Sequence, residues 1–190
     1  MKRKAIFGGT FDPVHLGHLE LVKTAKAAAN LDEVLLMPCW QSPFKGKAVA
    51  SGQQRYDMLK LALENRDELL SGMRVSDYEI LRPKPSYSWQ TAKHFHDAEP
   101  DTEWWWILGT DQWNQLENWA QPESLRTLLR FIVLTRDGDE IEAKEGWHHI
   151  AVPFSHPASS TGIRNDFEKY RHWLVPEVAE YCVEQSLYVS

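Results

Sequence analysis

Residues 8–18 read GGTFDPVHLGH, directly after the apolar run Ala5-Ile6-Phe7. Beyond His18, in HLELVKTAKAAAN, Leu19, Val22, Ala25 and Ala29 fall on one face of a helix. The stretch therefore marks the place where a strand turns into a helix. A glycine-bearing turn there offers bare backbone amides and a helix start, and both attract anions. His15 and His18 lie about one helical turn apart, so the two imidazoles can face one point. The turn is neither G-x-G-x-x-G nor G-x-x-x-x-G-K-[ST], which excludes the dinucleotide fingerprint and the P-loop.

Working outward, short apolar runs alternate with helical patterns along the chain. Candidate strands are Lys4–Phe7, Glu33–Met37, Met73–Val75, Trp104–Leu108, Phe131–Leu134 and His149–Val152. Candidate helices follow His18, then span Gln53–Glu64, Leu116–Leu129 (interrupted by Pro122), Ser160–Tyr170 and Pro176–Gln185. This alternation predicts an α/β fold, a Rossmann-like doubly wound parallel sheet with helices on both faces. Such sheets bind ligands beyond the carboxyl ends of their strands, where the opening motif falls. With no linker or repeat, residues 1–190 read as one domain.

Composition narrows the function classes. The 190 residues are 43% apolar and 25% charged, ordinary for a soluble domain. No apolar run reaches membrane-spanning length, and the apolar stretch after the basic start is too short for a signal peptide, so the chain reads as cytoplasmic with no membrane partner. Cys39 and Cys182 match no disulfide or zinc spacing and are expected as free thiols. A formal net charge of −6 without a basic block argues against nucleic acid as partner. A homo-oligomer is compatible with this composition and not specified by it.

The histidines admit three readings. A zinc site needs further ligands, for which only His148-His149 is dense enough, so no metal ligands are assigned. One histidine could cap the helix while the other hydrogen-bonds in the core. With the flanking glycines, two imidazoles donating to phosphate oxygens is the favoured reading. A second phosphate candidate is Ser159-Ser160-Thr161-Gly162-Ile163-Arg164, where hydroxyls and a guanidinium meet at a helix start. Read alone, those hydroxyls are helix caps.

G-G-T-F-D-P-V-H-x-G-H and S-S-T-G-I-R together resemble the signatures of the nucleotidyltransferase superfamily with the H-x-G-H motif, in its nicotinate-nucleotide adenylyltransferase form. The resemblance implies transfer of AMP from ATP, accompanied by Mg²⁺, to nicotinate mononucleotide, giving deamido-NAD and pyrophosphate in NAD biosynthesis. It implies catalytic roles for His15, His18 and Arg164. It further implies ATP contacts from Gly8, Gly9, Thr10, Phe11, Gly17, Ser160 and Thr161, from Gly109 and Asp111 of the I-L-G-T-D stretch, and from Arg136. For the acceptor it implies Lys45, in a loop where Ser42 and Phe44 depart from the family pattern, Ser88 of S-Y-S-W-Q-T, and Trp119 as a stacking face. Gln115 stands where many relatives carry an aromatic, which implies a more polar pocket wall. Arg55 is expected in an ordinary ion pair, and Trp104, Trp105 and Trp106 as mainly structural. Alternatives are nicotinamide mononucleotide or phosphopantetheine as acceptor, or a nucleotide-binding regulator without turnover.

Overall fold

The computed structural model describes residues 1–42, 46–64 and 70–189. Strands β1 (Lys2–Gly9), β2 (Glu33–Pro38), β3 (Met73–Val75), β4 (Thr102–Gly109), β5 (Arg130–Thr135) and β6 (His149–Pro153) form one sheet in the order β3-β2-β1-β4-β5-β6. Every pairing is parallel. The chain builds outward from β1 to β3, then crosses back to place β4 on the other side of β1. That reversal opens a crevice beyond the carboxyl ends of β1 and β4.

Burial on both faces explains why the strands read as continuous apolar runs. Side chains alternate along each strand, so Ala5, Phe7, Trp105, Ile107, Ile132 and Leu134 enter one core. Helices α1 (Leu16–Ala29), α2 (Gly52–Leu63) and α8 (Pro176–Glu184) cover that face through Val22, Met58 and Val178. Ile6, Trp104, Trp106, Leu108, Phe131 and Val133 enter the opposite core. There they meet Ala92 of α3 (Ser88–Ala98), Trp113 of α4 (Thr110–Asn114) and Leu125 of α5 (Pro122–Leu128). The doubly wound fold stands as expected, and Trp104, Trp105 and Trp106 are all buried.

Three local departures have physical causes. Helix α3 lies outside the expected set: it buries Thr91 and Ala92 and packs half-buried Trp89 and Phe95 on the same core, a stripe of three apolar positions set among Gln90, Lys93, His94 and His96. The expected Leu116–Leu129 helix is instead a 3₁₀ turn, Leu116–Asn118, followed by α5. Gln121 adopts φ 55° and Pro122 starts a new helix, as proline at a first-turn position does. Ser160–Tyr170 divides into α6 (Ser160–Asn165) and α7 (Phe167–Tyr170), because Asp166 leaves the helical conformation (φ −154°, ψ 85°) and caps the second piece by accepting from Lys169 N–H.

Two buried charged groups fix the loops around the opening motif. The Asp12 carboxylate accepts from Val49 N–H at 2.8 Å, Ala50 N–H at 3.0 Å and the Tyr188 hydroxyl at 2.5 Å. Arg55, only 1% exposed, donates to the carbonyls of Thr10 at 2.7 Å, Ala50 at 3.2 Å and Trp40 at 3.3 Å. The expected ion pair of Arg55 is thus replaced, among the described residues, by three main-chain carbonyls. A guanidinium suits this role because its planar fork supplies several donors at once. Arg55→Met should lower unfolding stability by about 2–4 kcal/mol in urea, since three buried carbonyls lose their donor; a loss below ~1 kcal/mol would show that water replaces the guanidinium.

Candidate active site

A cleft of about 1240 Å³ lies in the crevice at the ends of β1 and β4. It exceeds the roughly 300–1,000 Å³ typical of a pocket for one small molecule. Its wall includes Gly8, Gly9, Thr10, Phe11, His15, Gly17 and His18 from the turn after β1. Ser160, Thr161 and Arg164 join from the start of α6, Gly109, Asp111 and Arg136 from the ends of β4 and β5, and Ser88 and Trp119 from the far side. One fold feature thus gathers fifteen of the sixteen sequence-derived site residues in a single cavity. Lys45 lies outside the described residues.

The glycines are there for space. A Cβ on Gly8 would stand 3.0 Å from the Trp106 ring, and one on Gly9 2.9 Å from the Phe11 ring. Phe11, at φ 52°, is buried and packs edge-on against both Phe7 and His18. It supports the imidazole from behind. His15 and His18 stack with ring centres 3.7 Å apart, so the two rings act as one unit. The His15 amide donates to His18 Nδ1 at 3.2 Å. A nitrogen that accepts carries no proton, so neutral His18 bears its hydrogen on Nε2. His15 is 7% exposed, and its Nδ1 is buried without a hydrogen-bond partner among the described residues. Burial, assisted by the nearby His156, pulls His15 from its ordinary 6.5 down to about 4. His15 is therefore held as a neutral imidazole rather than as a cation.

The two distant motifs are hooked together directly. Ser160 Oγ donates to the Pro13 carbonyl at 2.9 Å across a separation of 147 residues. Arg164 Nη1 donates to the Asp12 carbonyl at 2.6 Å, and Nη2 donates to Thr161 Oγ1 at 3.1 Å. Ser159 caps α6 by accepting from Gly162 N–H, so the capping reading holds for Ser159 while Ser160 bridges to the opening turn.

At the end near β4, Asp111 is exposed at the start of α4 and Arg136 follows β5. The Asp139 carboxylate accepts from Thr110 Oγ1 at 2.7 Å and from Arg136 N–H at 2.8 Å. The Arg136 amide and the Thr110 hydroxyl hold that carboxyl below its usual range. At the opposite end, Ser88 begins α3 and half-buried Trp119 follows the 3₁₀ turn. Behind Ser88, buried Glu79 accepts from Thr91 Oγ1 at 2.6 Å. Burial pushes its carboxyl up, while hydrogen bonds from Thr91 and Ser86 work against that. Ser86 Oγ in turn accepts from Trp40 N–H at 3.1 Å, tying this loop to the segment after β2. Gln115 does not line the cleft; its Oε1 accepts from Asn118 at 3.0 Å, so the expected polar wall is not formed by that residue. No group of three or more His, Cys, Asp or Glu among the described residues is arranged to hold a metal.

Sequence reasoning missed Asp12, Glu79, Asp139 and His156. Asp12 sits inside the opening motif and could have been singled out by that position; the others come from segments with no motif of their own, and only folding brings them to the cleft wall.

Two outcomes follow for the imidazole pair. Gly17→Ala would place a Cβ 2.9 Å from His156 Nδ1 and 3.0 Å from His15 Nδ1. Helix α1 should tolerate alanine, yet turnover should fall at least ~10-fold, because small misplacement of catalytic groups is costly; an alanine variant at wild-type rate would mean that the ring positions are uncritical. Since folded His15 binds its proton more weakly than the unfolded chain does, the unfolded state holds more protons between pH 6.5 and about 4. Stability should therefore decline as pH falls through that window, by up to ~3 kcal/mol from this residue. His15→Gln should flatten that part of the stability–pH curve, measured by urea unfolding, and an unchanged slope would remove His15 as the source.

The comparisons with known proteins agree with this geometry. The cytidylyltransferase-like family matches residues 6–166. A protein of Clostridium novyi named "Probable nicotinate-nucleotide adenylyltransferase" is 35% identical over 199 residues, covering 97% of this chain and 98% of its own length. One of the same name from Shouchella clausii is 36% identical over 193 residues, covering 99% and 97%. Among solved structures, Plasmodium falciparum nicotinic acid mononucleotide adenylyltransferase complexed with NaAD superposes with a TM-score of 0.81 at 18% identity, over 99% of this chain and 98% of that one; at that identity the likeness speaks for the fold. No helix among the described residues is long and apolar enough to cross a membrane. With the H-x-G-H turn and the S-S-T-x-x-R segment closing on one cleft, and relatives matching end to end, the chain belongs to the cytidylyltransferase-like family and, within that family, to the nicotinate-nucleotide adenylyltransferases.

Proposed function

We propose that this protein transfers the adenylyl group of ATP to nicotinate mononucleotide. A phosphate oxygen of the mononucleotide attacks the α-phosphorus of ATP, and the bond to the bridging oxygen of pyrophosphate breaks on the opposite side. The products are deamido-NAD and pyrophosphate. The observation that carries this reading is the direct hooking of Arg164 and Ser160 onto the backbone of the H-x-G-H turn. Two segments able to bind phosphate face one cavity with room for two substrates.

The attacking phosphate is ionised at neutral pH, so no strong general base is needed, and catalysis rests on positioning and charge stabilisation. His15 and His18 donate to α-phosphate and bridging oxygens as charge shifts onto them. Arg164 and Thr161 hold the departing pyrophosphate, with Ser160 fixing their distance from the turn. Asp111 accepts from the adenosine ribose hydroxyls, and Arg136 lies by the adenine. Ser88 and Trp119 receive the pyridine ring, one beside its carboxylate and the other against its face, and Lys45 pairs with the mononucleotide phosphate. Mg²⁺ accompanying ATP would supply neutralising charge at its phosphates, and no residue of this chain is assigned to hold it.

Wild-type protein with ATP and Mg²⁺ should release pyrophosphate and form deamido-NAD with nicotinate mononucleotide, and do so faster than with nicotinamide mononucleotide or phosphopantetheine. His18→Ala should lower that rate by ~10²–10³-fold, the loss expected for one transition-state donor. Faster turnover of either other acceptor reassigns the substrate, and no pyrophosphate with any of the three leaves a nucleotide-binding regulator.

A further inference from the structure

The cleft holds a third imidazole that no motif marks. His156 lies in the loop between β6 and α6 and lines the same cavity as His15 and His18. Its Nδ1 accepts from Ala158 N–H at 3.1 Å. The neutral ring therefore carries its proton on Nε2, the same tautomer as His18. Among the described residues no acceptor takes that Nε2–H, although the ring is half-buried. The hydrogen bond at Nδ1 thus fixes the tautomer and orientation of the ring and leaves Nε2–H as its donor.

Gly17 allows this placement. A Cβ there would stand within about 3 Å of both His156 Nδ1 and His15 Nδ1, so the glycine between the two motif histidines is also the notch that admits the third ring. His156 also lies three residues before Ser159, the cap of α6, and four before Ser160, which bridges to Pro13. It thus stands where the H-x-G-H turn meets the S-S-T-x-x-R segment.

We propose that His156 is a third phosphate-binding residue, donating from Nε2 to the pyrophosphate portion of ATP and to pyrophosphate as it leaves. The role deepens the adenylyl-transfer reading and rests on it for its place in a reaction, but the anion site itself does not need turnover to be seen. It also gives the buried Gly17 notch a function beyond helix packing. The third ring would share the charge of the leaving group with Arg164, while His15 and His18 serve the reacting phosphorus.

The test is binding of inorganic pyrophosphate by calorimetry to wild type, His156→Asn and His156→Gln, with the KM for each substrate measured alongside. Asparagine keeps an acceptor for Ala158 N–H but cannot reach the Nε2 position, whereas glutamine places an amide donor there. His156→Asn should bind pyrophosphate on the order of 10-fold more weakly, the effect of one lost hydrogen bond to a charged group. His156→Gln should recover most of that, and the KM for nicotinate mononucleotide should not change in either. The proposal is overturned if His156→Asn binds as wild type, if glutamine is no better than asparagine, or if wild type binds no pyrophosphate. Should wild type bind pyrophosphate with this pattern yet release none from ATP and nicotinate mononucleotide, the adenylyl-transfer reading fails and the anion site stands. Turnover at the wild-type level with unchanged pyrophosphate affinity in both variants removes His156 alone.

Discussion

The contact between Arg164 and the Asp12 carbonyl, reinforced by Ser160 on the Pro13 carbonyl, is the constraint on which the cleft depends. A main-chain carbonyl cannot be swapped for another by mutation, so these bonds fix the distance between backbone segments rather than between side chains. The turn they grip is secured from its other side as well. Asp12 holds the loop after β2 and the C-terminal Tyr188 through its carboxylate, and Arg55 holds the Thr10 carbonyl. Both are buried charges with several hydrogen-bond partners, the condition under which such groups are tolerated. The result is a turn whose backbone is over-determined before any ligand arrives.

Rigidity of this kind has a chemical use. A reaction that needs no strong base gains from donors already aimed at the place where charge appears. In the proposed reaction the stacked His15 and His18 are such donors, and the burial that keeps His15 neutral also leaves its Nδ1 without a partner among the described residues. An unpaired buried nitrogen costs on the order of 1–3 kcal/mol, a cost that the turn's other hydrogen bonds must offset. The protein's negative overall charge is no obstacle to the proposed anion binding, because imidazoles, main-chain amides and the Arg164 guanidinium gather locally where the two motifs meet in the cleft.

How much of this was legible beforehand differs from element to element. The sheet was legible because both of its faces are buried, which turns strands such as Trp104–Leu108 into unbroken apolar runs. Helix α1 was legible from Leu19, Val22, Ala25 and Ala29, whereas the shorter stripe of α3, Trp89, Ala92 and Phe95, is set among polar residues and was not read. The residues near strand ends that line the cleft could be picked out because their motifs are local in sequence. What could not be read is anything made by tertiary approach: the carbonyls that Arg55 caps, the Glu79–Thr91 bond behind Ser88, Gln115 turned away from the cleft, and His156 brought beside Gly17. The break at Gln121 was marked in advance by Pro122, whereas the break at Asp166 was illegible because a single backbone conformation decides it and no residue type demands it.

The central claim is that segments 8–18 and 159–164, joined through Asp12 and Pro13, form one phosphate seat. Titration of the isotopically labelled protein with inorganic pyrophosphate, followed by NMR, tests it most directly. The imidazole signals of His15 and His18 and the amide signals of Ser160 and Thr161 should shift together along a single binding curve. Movement of only one of the two sets, or two curves with distinct midpoints, would contradict it.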